Sequence, residues 1–458
     1  MSTPHIAVFP FPAQGHLLPL LDLTHHLCLR GVTVSVIVTP GNVTYLSPLL
    51  SAYPTSVSSV FFPFPPHPAL PPGVENVRDV GNSGNLPIMA SLRRLRDPIV
   101  LWFRSHPNPP VALVSDFFLG WTHGLCDQIG VPRFAFFSIS SFLVSVLRFC
   151  FENVDRIRST DPVRLLDLPR SPIFKEEHLP SVFRRCLQAP SPDLLETARD
   201  FSMNALGYGS VFNSSLCVED EYLEHVKKQS TSHERFYVTG PLCSIEPGLK
   251  SESGSLDSNL LSWLDGSPDG SVLYVCFGSQ KSLTQDQCRA LALGLERSMA
   301  RFVWVVKTDP MIPDGFEDRV SGRGILVRGW VPQLLVLRHV AVAGFLSHCG
   351  WNSVLEGITS GAVILGWPME ADQFVNARLL VDHLGAAVRV CQGAETVPDP
   401  DDLGRVIAEM MGEGGRKVAA RAEELRWKTD AEANGSSIVD LQRLVEEFGK
   451  LLSLSPLR

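Results

Sequence analysis

The stretch from Trp330 to Gln373 constrains the fold more than any other part of the chain. It runs WVPQLLVLRHVAVAGFLSHCGWNSVLEGITSGAVILGWPMEADQ. Its apolar runs at 340–346 and 362–365 are short, rich in Val, Ile and Phe, and bounded by glycine, which is typical of buried parallel strands. Polar residues follow the ends of these runs. Because an open α/β sheet binds ligands at the carboxyl ends of its strands, we predict a layered α/β sheet with a ligand site here.

The centre of this stretch, Ser-His-Cys-Gly-Trp-Asn-Ser at 347–353, predicts a turn from a strand into a helix. Gly350 relieves the backbone, and Asn352 or Ser353 caps a helix that ends near Gly361. The first turn of a helix carries free N–H groups and the positive end of the helix dipole, which stabilise an anion such as phosphate. The histidine and the two polar residues of this segment would add donors to the same anion.

Other residues of the stretch suit the remaining parts of a nucleotide-linked sugar. Glu356 lies about one helical turn beyond the cap, within reach of a sugar diol but not of the phosphate, and Trp330 offers a flat apolar face for a base. Asp372 and Gln373 offer acceptors and donors for hydroxyls. Each residue alone is more often a core or capping residue, but their joint spacing favours a binding site.

The whole stretch closely resembles the C-terminal signature of plant family 1 UDP-sugar-dependent glycosyltransferases. The matching motifs are W-x-P-Q at its start, H-C-G-W-N-S at its centre and W-P-x-x-x-D-Q at its end. The resemblance extends more thinly over the whole chain and implies an α/β protein of GT-B fold, with two facing Rossmann-like doubly wound domains and a cleft between them. One departure is Gly361-Ala362-Val363, where the family has Gly-Val-Pro.

The resemblance also implies which residues bind the donor. They are, in chain order, Ser279, Trp330, Val331, Gln333, His348, Trp351, Asn352, Ser353, Glu356, Asp372 and Gln373. By resemblance, uracil stacks on Trp330, the nucleoside is held by Gln333 and the ribose hydroxyls bind Glu356. The implied diphosphate contacts are Ser279, His348, Asn352 and Ser353. The implied sugar contacts are Trp351, Asp372 and Gln373.

The beginning of the chain predicts a second sheet edge. His5 to Phe9 is an apolar strand, an irregular loop follows, a helix runs from about His16 to Leu29, and Val32 to Val38 is the next strand. This order opens a doubly wound parallel sheet. His16 therefore lies in the first turn of a helix, where the dipole disfavours imidazolium and leaves a neutral ring that can accept a proton.

A carboxylate partner for this histidine is predicted at Asp116, which follows the apolar strand 111–114 at the same sheet edge. Taken alone, a histidine in a first turn and an aspartate before a helix are more often caps. The Gly-His of the first loop and the S-D-x-x-x-x-W motif nevertheless match the catalytic His and Asp of the family. We therefore predict that His16 and Asp116 are catalytic, with His16 as the base that deprotonates an acceptor hydroxyl.

Composition excludes several other classes of function. At 458 residues the chain suggests two domains, or three at most, and its 45% apolar and 19% charged residues describe a globular protein. The net charge of -8 and scattered basic residues give no support to nucleic-acid or anionic-membrane binding. The ten cysteines occur singly, without zinc spacing, and no signal peptide or membrane span is evident, so we expect a cytoplasmic protein.

We predict an acceptor-binding domain at 1–245, a linker at 246–258, a UDP-sugar-binding domain at 259–436 and a C-terminal helix at 437–458 that returns to the first domain. Gly209 to Asn213 is expected to be the last strand of the first sheet, and 51–85 a long loop that either walls an apolar acceptor pocket or simply packs on the surface. We expect a monomer.

The expected reaction is inverting transfer of a sugar, with UDP-glucose as the donor and a small phenol such as a flavonoid as the acceptor. Gln373 favours glucose by resemblance, whereas the Gly-Trp-Pro-Met-Glu-Ala-Asp-Gln form, with acidic Glu370, is similar to flavonol 7-O-rhamnosyltransferases and keeps UDP-rhamnose as an alternative. A non-catalytic sugar-nucleotide-binding protein is a second alternative. A nucleotide-dependent oxidoreductase lacks its G-x-G-x-x-G. No carboxylate pair is spaced for a divalent ion, so we expect no metal cofactor.

Overall fold

The structure is a computed structural model that describes residues 3–188, 191–231, 233–244, 256–306 and 312–454, with only the backbone at Cys186 and His233. The chain divides into two compact units, which we call unit 1 (Met1–Leu249 with Glu432–Arg458) and unit 2 (Lys250–Ala431). Of the predicted linker at 246–258, residues 246–255 lie outside the described residues.

Unit 1 is built on a seven-stranded parallel sheet. Its strands are β1 (His5–Phe9), β2 (Thr33–Val38), β3 (Val57–Phe61), β4 (Leu113–Asp116), β5 (Arg133–Phe137), β8 (Gly209–Phe212) and β9 (Phe236–Val238). Strands β6 (Val163–Arg164) and β7 (Ile173–Phe174) form a separate antiparallel pair. The sheet order is β3-β2-β1-β4-β5-β8-β9, so β1 lies inside the sheet, next to the central strand β4. The central strands β1, β4 and β5 are buried along their whole length because helices cover both faces of the sheet.

The α-helices between β1 and β9 are α1 (Gln14–Cys28), α2 (Ser47–Ala52), α3 (Asn85–Arg93), α4 (Arg96–Ser105), α5 (Thr122–Ile129), α6 (Ser141–Glu152), α7 (Val154–Arg158), α8 (Ser181–Gln188), α9 (Pro192–Met203) and α10 (Leu216–Gln229). Helix α1 packs with Leu20 and Leu23 in one core of the sheet. Helices α3 and α4 contribute Ile88, Leu92 and Ile99 to a second core. The doubly wound arrangement predicted from the first strand, loop and helix is therefore confirmed.

Unit 2 contains a six-stranded parallel sheet of order β12-β11-β10-β13-β14-β15. Its strands are β10 (Val272–Cys276), β11 (Arg301–Val306), β12 (Gly324–Arg328), β13 (Val342–Ser347), β14 (Val363–Gly366) and β15 (Ala387–Arg389). The remaining helices are α11 (Ser258–Asp265), α12 (Gln285–Ser298), α13 (Phe316–Arg319), α14 (Gln333–Leu337), α15 (Trp351–Thr359), α16 (Gln373–Arg378), α17 (Pro400–Met411), α18 (Arg416–Ala433) and α19 (Ser436–Leu454). The order of strands reverses beside β10, where open α/β sheets bind ligands.

Helix α19 packs against the sheet of unit 1. Leu441, Leu444 and Phe448 are fully buried in the same core as α1. At the sheet edge, the Asp440 carboxylate accepts a hydrogen bond of 2.8 Å from the backbone N–H of Val238. The Asp440 carboxylate therefore accepts from a backbone N–H that an exposed edge strand could otherwise donate to another chain.

Two expectations for the first sheet were wrong. The strand at Gly209–Phe212 is not the last, because β9 follows it and pairs with it in parallel. The segment 51–85 is not a continuous loop, because it contains β3, which pairs with β2 over five residues. Both missed strands lie at the sheet edges. Strand β9 has only three residues, too few to show periodicity in the sequence, and strand β3 is partly exposed and only partly apolar.

Glu219 is a buried carboxylate that the sequence did not single out. It accepts hydrogen bonds from the backbone N–H groups of Ser141 and Phe142, at 2.8 and 3.1 Å, and from the Ser214 hydroxyl at 2.6 Å. Its carboxylate therefore caps the first turn of α6. Burial raises the pKa of Glu219 to about 7, and the hydrogen-bond donors oppose this rise without cancelling it.

This raised pKa predicts a pH-dependent contribution to stability. Since the unfolded carboxyl titrates near 4.5, the stabilising contribution is complete below that pH and is lost as the pH rises towards 7. Glu219→Gln removes the titration, so the melting temperature of the wild type minus that of the variant should fall by several degrees between pH 4.5 and 7.5. Thermal scans across that range measure the difference. A difference that stays constant with pH would contradict the assignment.

Among the helices of the described ranges, none is long and apolar enough to cross a membrane.

Candidate functional site

The catalytic pair predicted in unit 1 comes together at one edge of the sheet. Strands β1 and β4 are parallel neighbours, with Phe9 opposite Ser115, so the loop after β1 and the end of β4 lie side by side. The His16 Nδ1 atom lies 3.0 and 3.1 Å from the two carboxylate oxygens of Asp116. The Asp116 carboxylate is fully buried, whereas the imidazole keeps 14% of its surface exposed.

This contact determines how the imidazole can act. An N–H at Nδ1 donates to the carboxylate, which fixes the tautomer and leaves the lone pair on Nε2. The Asp116 carboxylate is itself held by the backbone N–H of Phe118, at 2.8 Å. Three phenylalanine rings pack on the imidazole, with centroids at 5.3, 5.3 and 4.4 Å for Phe11, Phe117 and Phe118. The ring therefore has one orientation, imposed by the carboxylate and the aromatic neighbours.

In unit 2, the predicted strand-to-helix turn runs from β13, which ends at Ser347, into α15. The predicted side-chain cap was wrong: Gly350 is the N-cap, without a side-chain hydrogen bond, and helix α15 begins at Trp351. Asn352 and Ser353 therefore lie inside the first turn instead of before it. The first turn of a helix is the end at which backbone N–H groups and the helix dipole stabilise an anion.

The turn is held in a strained conformation. Cys349 has φ of 65°, a left-handed value that is uncommon outside glycine. Its N–H donates to the Ser347 hydroxyl at 3.1 Å, and its carbonyl accepts from the Asn376 side chain at 3.0 Å. Strain of this kind persists only where surrounding contacts enforce it, and it concentrates at ligand-binding sites.

His348 is seated against the backbones of two glycines. A Cβ at Gly278 would lie 2.7 Å from Cε1 of His348, and a Cβ at Gly350 would lie 2.6 Å from Nε2. Gly278 also has φ of 71°, which favours glycine. Since Ser279 follows Gly278 directly, the loop after β10 and the turn before α15 meet at the His348 ring. The two diphosphate-binding segments implied by the family signature are thus adjacent.

At the nucleoside end of the signature, one glutamine connects α14 to two residues of α15. The Gln333 side-chain N–H group donates to the Ser353 hydroxyl at 3.0 Å and to a Glu356 carboxylate oxygen at 2.7 Å. Trp330, just before α14, is 72% exposed, so its ring face is open to a planar ligand. Val331 beside it is buried. Glu356, on α15, is buried except for a small fraction and is oriented by Gln333.

The sugar end is held by helix α16. The Gln373 side-chain carbonyl accepts from the backbone N–H groups of Met369 and Glu370, at 2.9 and 3.0 Å. Asn376 donates to the Asp372 carboxylate at 2.6 Å as well as to the carbonyl of Cys349. Asn376 therefore connects the sugar end to the strained turn, a role not predicted from the sequence. Its spacing of one helical turn from Asp372 was the available signal.

Two of the predicted donor-site residues, Trp351 and Ser279, are buried or partly buried. Trp351, the first residue of α15, is buried in the core, with only 2% of its surface exposed. Ser279 is partly buried at the end of the β10 loop. In the part of the chain that the structure describes, no group of three or more His, Cys, Asp or Glu side chains is placed to hold a metal ion.

Comparisons with known proteins show the family to which the chain belongs. Residues 248–410 match the family model described as UDP-glucoronosyl and UDP-glucosyl transferase. The chain is 79% identical to UDP-glycosyltransferase 89A2 of Arabidopsis thaliana over 98% of its own length and 96% of that protein. It is 43% identical to flavonol 3-O-glucosyltransferase UGT89B1 of Arabidopsis thaliana, over 98% of this chain and 96% of that one.

A solved structure gives the same result for the fold. The crystal structure of Arabidopsis thaliana UGT89C1 complexed with UDP-L-rhamnose superposes with a TM-score of 0.81 at 35% identity, covering 98% of this chain and all of the other. The two Rossmann-like units of the present chain are those of a GT-B enzyme, as the signature implied. With a relative this similar over nearly its whole length, the chain belongs to the plant family 1 UDP-glycosyltransferases, enzymes that use a UDP-sugar as co-substrate.

Proposed function

We propose that this enzyme transfers glucose from UDP-glucose to a hydroxyl of a small phenolic acceptor such as a flavonoid, with inversion at the anomeric carbon. In this proposal unit 1 binds the acceptor and unit 2 binds the donor. The observation that carries it is the contact of His16 Nδ1 with both carboxylate oxygens of Asp116. A neutral imidazole held in this way is a general base with Nε2 as the accepting atom.

The reaction proceeds in one displacement. The acceptor hydroxyl gives its proton to Nε2 of His16 while its oxygen attacks the anomeric carbon, and the bond from that carbon to UDP breaks. Asp116 stabilises the imidazolium that forms. The N–H groups of the first turn of α15 and the side chain of His348 stabilise the charge that develops on the diphosphate. Attack opposite the leaving group inverts the configuration.

The aromatic surface beside His16 supports a phenolic acceptor. Phe118, whose ring lies 4.4 Å from the imidazole, is only partly buried. Phe201 and Phe151 continue the same surface, with centroids 5.7 Å from Phe118 to Phe201 and 5.9 Å from Phe151 to Phe201. Planar aromatic acceptors gain both apolar burial and ring contacts on such a surface. A phenol also has a more acidic hydroxyl, which lowers the demand on the base.

The donor sugar is inferred from the sugar end of the signature. The side-chain carbonyl of Gln373 accepts from two backbone N–H groups, so its NH₂ group is the part that would donate to a sugar hydroxyl. Asp372 supplies an oriented acceptor. The relative UGT89B1, a flavonol 3-O-glucosyltransferase by name, favours glucose. UDP-rhamnose is the alternative, because UGT89C1 was crystallised with UDP-L-rhamnose and Glu370 lies next to this sugar end.

A catalytic assay separates these possibilities from one another. The protein is incubated with UDP-glucose or UDP-rhamnose and a panel of phenols, and released UDP and the mass of the glycoside are measured. We expect a hexoside from UDP-glucose with an inverted anomeric centre. A deoxyhexoside would favour the rhamnosyl alternative. Tight UDP-sugar binding without turnover on any acceptor would instead indicate a non-catalytic sugar-nucleotide-binding protein.

We predict that transfer is independent of divalent cations. The α15 N-terminus and the side chain of His348 supply the positive charge that the diphosphate requires when UDP leaves. Preincubation with excess EDTA, followed by removal of the chelator, should leave kcat/KM within about twofold of the untreated enzyme. Addition of Mg²⁺ to a parallel sample serves as the control. Loss of activity with EDTA that Mg²⁺ restores would show that a metal takes part.

A further inference from the structure

Arg133 is a buried cation at the start of β5 that no part of the proposed reaction uses. Only 1% of its surface is exposed. Its Nε donates to the hydroxyls of Ser115 and Thr122, both at 2.8 Å, and its Nη2 donates to the Asn204 side-chain carbonyl at 2.9 Å. Burial lowers the pKa of Arg133 to about 10, so the guanidinium is still charged at neutral pH.

The same guanidinium holds the turn that carries the catalytic aspartate. Nη2 lies 3.5 Å from the backbone carbonyls of both Asp116 and Leu119. Asn204 holds the turn from the other side by donating to the carbonyl of Phe117 at 2.9 Å. The residues between 116 and 119 include the carboxylate and two of the aromatic rings that orient the His16 imidazole. Their placement therefore depends on Arg133 and on the side chain next to it.

A buried cation also requires a counter-charge. The groups that act on Arg133 electrostatically are Cys126, Asp200 and Asp116. Burial raises the pKa of the Cys126 thiol to about 12, so the thiol is neutral. Asp200 is paired with Arg93 at 2.6 Å. Asp200 and Asp116 are therefore the two carboxylates whose charge balances Arg133, and no direct ion pair joins Asp116 to Arg133 in the described ranges.

We propose that Arg133 is a positioning residue for the His16–Asp116 pair: it holds the 116–119 turn in place and offsets part of the pull of the Asp116 carboxylate on the His16 proton. This inference rests on the proposed role of His16 as a base. A carboxylate next to a histidine favours imidazolium, yet a base has to start the reaction neutral. A buried positive charge at the backbone of Asp116 holds the turn in place and weakens the preference for imidazolium.

The test compares Arg133→Met and Arg133→Lys by the pH dependence of kcat/KM. Loss of the charge in R133M should move the acid limb of the profile about one unit to higher pH, the scale expected for one charge several ångströms away in a protein interior. We also expect kcat/KM at neutral pH to fall by roughly 10-fold or more. R133K keeps the charge but lacks the guanidinium fork, so kcat should fall while the limb stays in place.

Arg96→Met is the matched control. Arg96 is an exposed cation of unit 1 that donates to the carbonyl of Gly124 in α5 and does not contact the 116–119 turn. Its loss should leave the limb unchanged. A lower kcat/KM in R133M at every pH, with no movement of the limb, would show a merely structural role and overturn the inference.

Asn204→Asp covers the case in which R133M does not fold. It places a carboxylate of the same size against the guanidinium and should move the limb in the same direction as R133M. Titration of the His16 ring by NMR, assigned with a His16→Asn variant, measures the effect without turnover. A wild-type enzyme with no transferase activity would contradict the proposed function, whereas an unmoved His16 titration in N204D and R133M would contradict the role of Arg133.

Discussion

Replacement of His16 by alanine lowers kcat/KM by roughly 100-fold to 10,000-fold, the range that a positioned general base contributes. UDP affinity stays within about twofold of wild type, because the residues that we propose for UDP binding all belong to unit 2. The measurement is release of UDP with a phenolic acceptor, together with calorimetric titration of UDP. Asp116→Asn should also lower kcat/KM, since an amide no longer stabilises imidazolium or selects the tautomer.

His123→Ala is a suitable control for this prediction. His123 also contacts an aspartate in unit 1, with Nε2 3.8 Å from Asp127, but that aspartate is largely exposed. A surface pair of this kind contributes little, so H123A should retain nearly full activity. An H16A enzyme that turns over at the rate of the wild type would remove the base from the proposed mechanism.

Substitution of Gly278 by alanine weakens UDP binding by roughly 10-fold to 100-fold, or about 1.4 to 2.8 kcal/mol. The new Cβ would lie 2.7 Å from the His348 ring, which has to move, and with it the donor that we assign to the diphosphate. Gly278 also has φ of 71°, where a side chain adds about 1 to 2 kcal/mol of backbone strain. Calorimetric or fluorescence titration with UDP measures the loss.

Gly322→Ala separates strain from collision. Gly322 is in unit 2 and has φ of 82°, but a Cβ there meets nothing within 4 Å. This variant should therefore lose some stability and keep its UDP affinity. If G278A binds UDP as tightly as G322A does, then the contact of Gly278 with the His348 ring does not position a diphosphate ligand.

The stretch from Trp330 to Gln373 shows which structural elements the local sequence can predict. Strand β13, helix α15 and strand β14 follow from short apolar runs and the glycines between them, because such runs suit only buried elements of a parallel sheet. The wrong cap has an equally local cause. Asn and Ser are good capping residues, but Gly350 precedes them and already supplies the extended conformation, so both enter the helix.

The sequence by itself determined the doubly wound fold, the family, and the pairing of a histidine after the first strand with an aspartate at the end of another. Those features depend on periodicity and on motif spacing along the chain. Only the tertiary structure decided that Gly278 and Gly350 contact the His348 ring, that Asn376 joins Asp372 to the turn at Cys349, and that Arg133 contacts the backbone carbonyl of Asp116. The physical reason is that these contacts join residues from different strands and helices, so they form only when parallel packing brings their ends to one sheet edge.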